Sequence, residues 1–275
     1  MNAINSNKKN PAKHALSSRS SLAILIALSG SIGATPLLAE MPNLSGVWNR
    51  YPPYADTFSN QPDPPELQLV EPPLKEPYLT RWRSFRKKRE AADSEGKPLP
   101  TPSSQCRPEG APGIMGAHYA LQILQNPELN QITILGEFMS QIRRIYLDEP
   151  MPPMDEIDPG YFGRSVGRWN GNVLEVSTEG IREDVVYEDI PHSAKMKMNE
   201  HIYLKAGGIL VDDITIEDPQ YLEAPYRFTF MYKREPKSYK ISEYVCDNQH
   251  AVIQSDGSLG MDVKGNVDAS QPREH

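Results

Sequence analysis

GRSVGRWNGNVLEVST, residues 163–178, carries the clearest structural pattern of the chain. Asn170-Gly171 lies between two runs that alternate apolar and polar residues. Asn and Gly both tolerate the positive φ that a type I′ turn needs at its two central positions. After this turn, Leu174 and Val176 share one face of a strand, and Glu175 points to the other face. The pattern predicts a β-hairpin of two antiparallel strands.

Short runs of alternating apolar and polar residues continue on both sides of this hairpin. Turn residues such as Asn126-Pro127 and Gly207-Gly208 separate most of the runs, and helical patterns that would make βαβ units are missing. We therefore predict a mainly β fold, a strongly curved antiparallel sheet or lipocalin-like barrel. The predicted strands are Tyr119–Gln125, Gln131–Leu135, Gln141–Leu147, Gly163–Trp169, Val173–Thr178, Lys195–Tyr203, Ile209–Ile216, Tyr226–Lys233 and Ser238–Val245.

Residues 1–39 have the order of a secretory signal peptide. A basic, polar region precedes an apolar run that begins at Leu22, and the small residue Ala39 stands at the exit. The run is too short for a bilayer, which needs roughly 20 apolar residues, although an N-terminal anchor helix stays open as the alternative. We expect a periplasmic or secreted protein without stable membrane insertion.

Charge and cysteine content narrow the class of protein further. The chain has 275 residues and a net charge of −7, and removal of the basic leader makes the remainder more acidic. An acidic surface argues against nucleic-acid binding and against anionic membranes. Cys106 and Cys246 are an even pair, which in an exported chain predicts a disulfide. A zinc site is the weaker alternative, because no C-x-x-C spacing is present.

A proline-rich arm, residues 40–112, precedes the predicted strands. Its prolines are too frequent for the interior of a sheet, so we expect an extended segment that wraps the domain. A helix near residues 77–91 interrupts it, with Tyr78, Trp82 and Phe85 on one apolar face. The basic remainder of this helix indicates either an ordinary solvated surface or a site for a membrane surface or an acidic partner. After the arm, we assign residues 113–254 to the barrel and residues 255–275 to a mobile tail.

A series of motifs follows in a fixed order along the chain. They are NLSGVW (Asn43–Trp48), CRPEGAPGIM (Cys106–Met115), GEFMSQIRRIYLD (Gly136–Asp148), GRSVGRWNGNVLEVSTEG (Gly163–Gly180), PHSAKMKMNEHIYL (Pro191–Leu204), TIEDP (Thr215–Pro219) and YVCDN (Tyr244–Asn248). This series resembles an uncharacterised family of secreted bacterial proteins with a lipocalin-like opening, over about residues 41–249. The resemblance implies a calycin-like barrel and brings no activity with it.

Three residues are candidates for acid–base chemistry. His192 precedes a predicted strand, and a His in a barrel mouth can act as a general base near neutral pH. Its alternative is a loop His bonded to the backbone. Glu137 and Asp218 lie near strand ends, where groups of adjacent strands converge. The alternative for the carboxylates is a structural ion-pair network with Arg143 or Arg144.

A second set of residues could line a ligand site inside the barrel, because it combines aromatic rings with charged groups. Its members are Arg144, Tyr146, Trp169, Tyr119, Tyr203 and Glu200. No H-x-H or H-E-x-x-H spacing appears, so we expect no metal. A P-loop, a dinucleotide glycine fingerprint and a G-x-S-x-G elbow are also missing, so we expect no organic cofactor.

Two functional hypotheses follow for the barrel. The first is an exported lipocalin-like barrel that binds a small apolar or aromatic molecule. The second is a cofactor-free lyase or isomerase that acts on such a molecule by acid–base catalysis through His192 with Glu137 or Asp218. A structural role at the cell envelope, based on the arm and the basic helix, is a third. The sequence leaves the oligomeric state open.

Overall fold

A computed structural model describes residues 41–53, 68, 70–246 and 251–261. The predicted signal peptide, residues 1–39, lies outside the described residues. So do residues 54–67 of the predicted arm and residues 262–275 of the predicted tail. Within the described part, no helix is both long and apolar enough to cross a membrane.

Nine strands close into a barrel in which each strand pairs with its neighbours in chain order and the first pairs with the last. The strands are β1 Gly46–Arg50, β2 Leu121–Asn126, β3 Gln131–Gly136, β4 Gln141–Leu147, β5 Arg164–Asn170, β6 Val173–Glu179, β7 Lys197–Lys205, β8 Ile209–Glu217 and β9 Tyr226–Arg234. The predicted mainly β, lipocalin-like barrel is confirmed.

The strand that closes the barrel is not the one that the sequence predicted. Residues 238–245 form no strand, so that prediction is wrong. Instead β1, from the predicted arm, pairs with β9 through Trp48↔Arg234 and with β2 through Trp48↔Leu121. Because β1 occupies the free edge of β9, the chain after β9 has no edge on which to add a strand.

One neighbouring pair, β4 and β5, runs parallel, with Tyr146 opposite Val166. The other eight neighbouring pairs are antiparallel, as predicted. A closed ring with an odd number of strands cannot alternate direction throughout, so one parallel pair is unavoidable. The connection over residues 148–163 has the length of a crossover that returns the chain to the opposite end of the barrel.

The β5–β6 hairpin is confirmed, but its turn lies one residue later than predicted. Asn170 pairs with Val173, which leaves Gly171-Asn172 as the two-residue loop. Only Gly171 has a positive φ, +58°. A positive φ at the first central position alone is typical of a type II′ turn, which also suits a hairpin.

Two α-helices and a small separate sheet complete the described structure. They are α1 Tyr78–Ser94, α2 Gly110–Gly116, and a hairpin of β10 Ala251–Ile253 with β11 Leu259–Met261. Short 3-10 turns cover Ser103–Gln105, Pro127–Leu129, Phe138–Ser140 and Met154–Glu156. The hairpin is bonded to the rest of the protein, since the Leu259 N–H donates to the Pro98 carbonyl over 2.8 Å.

The barrel has two different ends. At one end the guanidinium of Arg234 lies 4.2 Å from the ring centre of the fully buried Trp48. At the other end, α2 contacts the barrel directly: the Gly110 N–H donates to the side chain of Gln141, and Tyr232 donates to the Met115 carbonyl over 2.6 Å. We call this second end the α2 end.

A disulfide links the chain near α2 to the segment that follows β9. Cys106 and Cys246 are bonded, with their Cα atoms 5.6 Å apart, so the predicted disulfide is confirmed. Tyr244 packs edge-on against Phe138 in the same region, with ring centres 5.1 Å apart. The chain after β9 is thereby fixed at the α2 end although it forms no strand there.

Candidate functional site

A cavity of about 960 Å³ lies at the α2 end of the barrel. Segments from distant parts of the chain form it: the end of β1, helices α1 and α2, the loop after Val185, and the first half of β9. Small-molecule sites in proteins are typically about 300–1,000 Å³. The cavity is thus large enough for a small organic molecule.

Four aromatic side chains form one side of this cavity, and we call them the aromatic wall: Tyr187, Tyr226, Phe228 and Phe230. The three from β9 share a face because alternate residues of a strand point the same way. Tyr187 stacks on Phe228 with ring centres 5.4 Å apart, and Phe230 lies edge-on to Phe228 at 5.3 Å. Arg50, at the end of β1, lies 4.4 Å from the ring centre of Phe230.

The rim of the cavity includes a tight turn, Tyr187 to Ile190, that we call the acidic turn. Its central residues Glu188 and Asp189 both have positive φ, +51° and +61°. Non-glycine residues adopt this conformation rarely, and the surrounding structure must hold them in it. Helix α1 does so: Arg89 binds Asp189 through two hydrogen bonds of 2.9 and 2.8 Å.

Further contacts from α1 complete this hold on the acidic turn. Arg86 donates to Glu188 over 3.1 Å, and the Trp82 indole donates to the Glu188 carbonyl over 3.0 Å. The basic side of α1 that faces the cavity is therefore matched by carboxylates. Trp82 is the buried member of the predicted apolar stripe, whereas Phe85 is exposed.

Glu109, just before α2, also lines the cavity. No described residue forms a hydrogen bond or ion pair with its carboxylate. Burial, and then repulsion from Glu188, raise the pKa of Glu109 to about 7. Gly113 lies against it, since a Cβ at Gly113 would come within 2.8 Å of the Glu109 Cβ. Sequence reasoning missed this residue; the only signal was an acidic residue within the CRPEGAPGIM motif.

The interior of the barrel holds a separate, fully buried polar network. Arg143 of β4 binds Glu200 of β7 through two hydrogen bonds of 2.7 and 2.5 Å. The same guanidinium donates to Thr178 over 3.0 Å and to Ser165 over 3.2 Å. Glu200, a predicted ligand-binding residue, is thus engaged with Arg143 away from the cavity.

Asp212 of β8 lies in this interior without a hydrogen-bond partner among the described residues. Burial first, and then the charge of Glu200, raise the pKa of Asp212 well above its usual range. An unpaired ionised carboxylate in an apolar interior would be very unfavourable. Burial therefore favours the neutral form of the Asp212 carboxyl, whereas the Glu200 carboxylate beside it is paired with the guanidinium of Arg143.

No protein-family model matches the chain, and no curated protein matches it. Within the described residues, no group of three or more His, Cys, Asp or Glu side chains is arranged to hold a metal ion.

The three predicted catalytic residues lie outside the large cavity. His192 is buried, with Nε2 2.8 Å from the Val185 carbonyl and Nδ1 3.1 Å from the Ser193 carbonyl. Asp218 accepts from the Ser193 N–H over 2.5 Å and from the Gln220 N–H over 2.8 Å. His192 and Asp218 line a small cavity of about 20 Å³, which has room for roughly one water molecule.

Glu137 is not brought together with them. It follows β3, and its Oε2 is buried without a hydrogen-bond partner in the described part of the chain. The bonds of His192 to the backbone correspond to the structural alternative that the sequence left open for this residue. Asp218 is held by backbone N–H groups rather than by the ion pair with Arg143 or Arg144 that was its alternative. A catalytic group of His192, Glu137 and Asp218 is therefore not assembled in this structure.

Of the predicted ligand-binding residues, Tyr119 lines the cavity. Arg144 and Tyr146 point outward, because Arg143 between Ile142 and Arg144 takes the inward position. Tyr203 also faces outward, where its hydroxyl donates to Asp213 over 3.0 Å. Trp169 packs against the core near the C-terminal end of β5, at the end of the barrel away from α2. The predicted alternation was correct in these strands, but no local pattern indicated which face is inside.

Proposed function

We propose that this protein is an exported, lipocalin-like barrel that binds a small apolar or aromatic molecule in the cavity at its α2 end. The cavity of about 960 Å³ with its aromatic wall is the observation that carries the proposal. Flat aromatic faces bury large apolar areas, and each ring–ring contact adds about 0.5–1.5 kcal/mol beyond the buried area. A ring inserted beside Phe228 would gain both contributions.

The position of the ligand in this proposal is the mouth of the barrel rather than its interior. Large side chains fill the interior, including Arg143 and Tyr232, which are fully buried. Hydrogen bonds and ion pairs hold the buried polar groups around Arg143 in place. Opening that space would separate a buried ion pair, which is strongly unfavourable.

Export is supported by two features. The disulfide between Cys106 and Cys246 is typical of proteins that fold in an oxidising compartment. The pattern of residues 1–39 is that of a signal peptide, although those residues lie outside the described part of the chain. The test is fractionation of cells that express the full chain, with N-terminal sequencing of the product.

Ligand binding is tested by thermal-shift screening of the oxidised protein against a panel of aromatic compounds, followed by titration of each hit. Phe228 is partly buried, so Phe228→Ala removes contact area from the aromatic wall without emptying the centre of the barrel. We expect at least about tenfold weaker binding, since a lost aromatic contact is worth more than about 1.4 kcal/mol.

The matched control is Tyr146→Ala, which truncates an aromatic residue that packs under Arg164 on the outside of the barrel. This variant should bind each hit as the unmodified protein does. Equal weakening in both variants, or a panel in which no compound binds, would contradict the proposal.

A cofactor-free lyase or isomerase is the second candidate, and Glu109 is the observation that favours it. A carboxyl with a pKa of about 7 suits general acid–base catalysis near neutral pH. In this version Glu109, rather than His192, would move the proton. Incubation of each bound compound with stoichiometric protein decides between the two: recovery of unchanged compound supports binding, and conversion that is lost in Glu109→Gln supports the enzyme.

A further inference from the structure

The charges around the cavity are unevenly paired. Arg86 and Arg89 lie within 3.4 Å of carboxylate oxygens of Glu188 and Asp189. These two arginines are therefore committed to holding the acidic turn. Glu109 is different, because no described residue is bonded to its carboxylate although that group faces the cavity.

The basic side chains of α1 that share the cavity with Glu109, Arg86 and Arg89, are paired with the acidic turn. The charged side chain that acts on its carboxylate is Glu188, which repels it. The aromatic wall continues beside Glu188: burial and the same Glu188 charge raise the pKa of Tyr226 to about 12, so its hydroxyl stays neutral. Arg50 lies elsewhere in the cavity, over the ring of Phe230. This part of the cavity thus combines two carboxylates with aromatic faces.

We infer that the molecule bound in this cavity is an aromatic or apolar amine, whose ammonium group lies between Glu109 and Glu188 while its ring packs on the aromatic wall. The inference rests on the proposed binding function and specifies the class of ligand. A half-buried carboxylate without a partner is unfavourable, and an ammonium donor compensates it directly. Aromatic faces attract the same cation, by about 0.5–2 kcal/mol depending on how dry the site is.

Binding of such an amine depends on pH through Glu109. Below pH 7 its carboxyl is mostly neutral and offers an ammonium little attraction, and above pH 7 it is ionised. The other titratable or charged groups that face the cavity are Glu188 and Asp189 from the acidic turn, Arg86 and Arg89 from α1, Arg50 from β1, and the side chains of His118, Tyr119, Tyr187 and Tyr226. The carboxylates of the acidic turn are held by the arginines, and Glu109→Gln separates the change that belongs to Glu109 from any change at His118.

The experiment uses three probes that share a naphthalene ring and differ in the polar group of its one-carbon substituent: 1-naphthylmethylamine (cationic), 1-naphthalenemethanol (neutral) and 1-naphthoate (anionic). Each is titrated calorimetrically into the oxidised protein at pH 5.5 and pH 8. At pH 8 we expect the amine to bind at least about tenfold more tightly than the alcohol. We also expect the amine to bind at least about tenfold more weakly at pH 5.5 than at pH 8. The amine itself is protonated at both pH values.

Two variants accompany the titrations. Glu109→Gln keeps the shape of the side chain and should remove both the preference for the amine and its pH dependence, while the alcohol still binds. Glu128→Gln is the control, since Glu128 is an exposed carboxylate in the turn between β2 and β3, at the opposite end of the barrel. It should behave as the unmodified protein does.

The outcomes separate the two proposals. If none of the three probes binds to the unmodified protein, both the binding function and the amine inference are overturned. If the alcohol or the naphthoate binds as tightly as the amine at pH 8, the binding function stands and the amine inference is overturned. This comparison needs no variant, so it holds even where Glu109→Gln fails to fold.

Discussion

At the scale of single residues, Glu109 links stability to pH. Its pKa is raised from 4.5 to about 7, so the folded state keeps a proton that the unfolded state releases. Stability from this group is therefore complete below pH 4.5 and is lost as pH rises through 7. We expect Glu109→Gln to be more stable than the unmodified protein at pH 8, by about 1–3 kcal/mol, and similar to it at pH 4.5.

Urea unfolding at both pH values measures this difference, and Glu128→Gln is again the control. The comparison uses the difference between proteins, because carboxylates with lowered pKa values, such as Asp184, change stability in the opposite direction. An identical pH dependence for Glu109→Gln and the unmodified protein would show that Glu109 is not desolvated in the cavity.

The two buried carboxyls of the barrel interior should respond differently to replacement by the corresponding amide. Glu200→Gln leaves the guanidinium of Arg143 without a counter-charge, and breaking a buried pair in this way costs about 3–5 kcal/mol. Asp212→Asn replaces a carboxyl whose neutral form is favoured by burial, so we expect a change within about 1 kcal/mol. Chemical unfolding at pH 7 compares the variants, and equal losses in both would mean that Asp212 is ionised.

Sequence patterns predicted only part of these charged interactions. The sequence indicated that Arg143 or Arg144 would pair with a buried carboxylate, and the structure shows Arg143 with Glu200. Which of the two arginines faces inward depends on β7, which lies far along the chain, and no local pattern records it. Glu109 was missed for the same reason: its neighbour Glu188 and the aromatic wall come from other segments.

At the scale of elements, α1 holds the acidic turn in its unusual conformation. We expect Arg89→Ala to loosen the turn, because it removes two hydrogen bonds to a residue with positive φ. The amide of Ile190, which donates to the Tyr187 carbonyl over 3.0 Å, reports on this turn by hydrogen exchange. Its exchange should become at least about tenfold faster.

The control for this prediction is Arg83→Ala on the same helix. Arg83 pairs with Glu71 on the solvent side, where both side chains are about half exposed, so its loss should leave the Ile190 amide unchanged. Equal exchange rates in Arg89→Ala and Arg83→Ala would show that the turn keeps its shape without α1.

Strands were predictable where alternation is local, as in β4, whose bounds Gln141–Leu147 are those expected. Closure of the barrel was not predictable from the sequence. It depends on Trp48↔Arg234, a pairing of residues from opposite ends of the domain, and on an arm that proline content marked as irregular. Neither β1 nor β9 has a local sequence pattern that indicates which strand it pairs with.

At the scale of the whole molecule, the disulfide joins the segment before α2 to the segment that follows β9. Cys106 and Cys246 are 140 residues apart in sequence, so the crosslink removes much of the freedom of the unfolded chain. We expect the double variant Cys106→Ser/Cys246→Ser to lose roughly 3–5 kcal/mol of stability while its far-UV circular dichroism still shows the β-sheet. The sheet persists because all nine barrel strands pair without help from the disulfide.

The same variant links the disulfide to the cavity. Tyr244 packs on Tyr119 and Phe138, which line the cavity, and the bond at Cys246 keeps it there. Release of this segment should therefore weaken binding of a naphthalene probe as well as lower the melting temperature. Tyr244→Ala with the disulfide intact is the matched variant, and it should reproduce the loss of binding but little of the loss of stability. A double variant that melts and binds as the oxidised protein does would mean that the barrel alone fixes the shape of its α2 end.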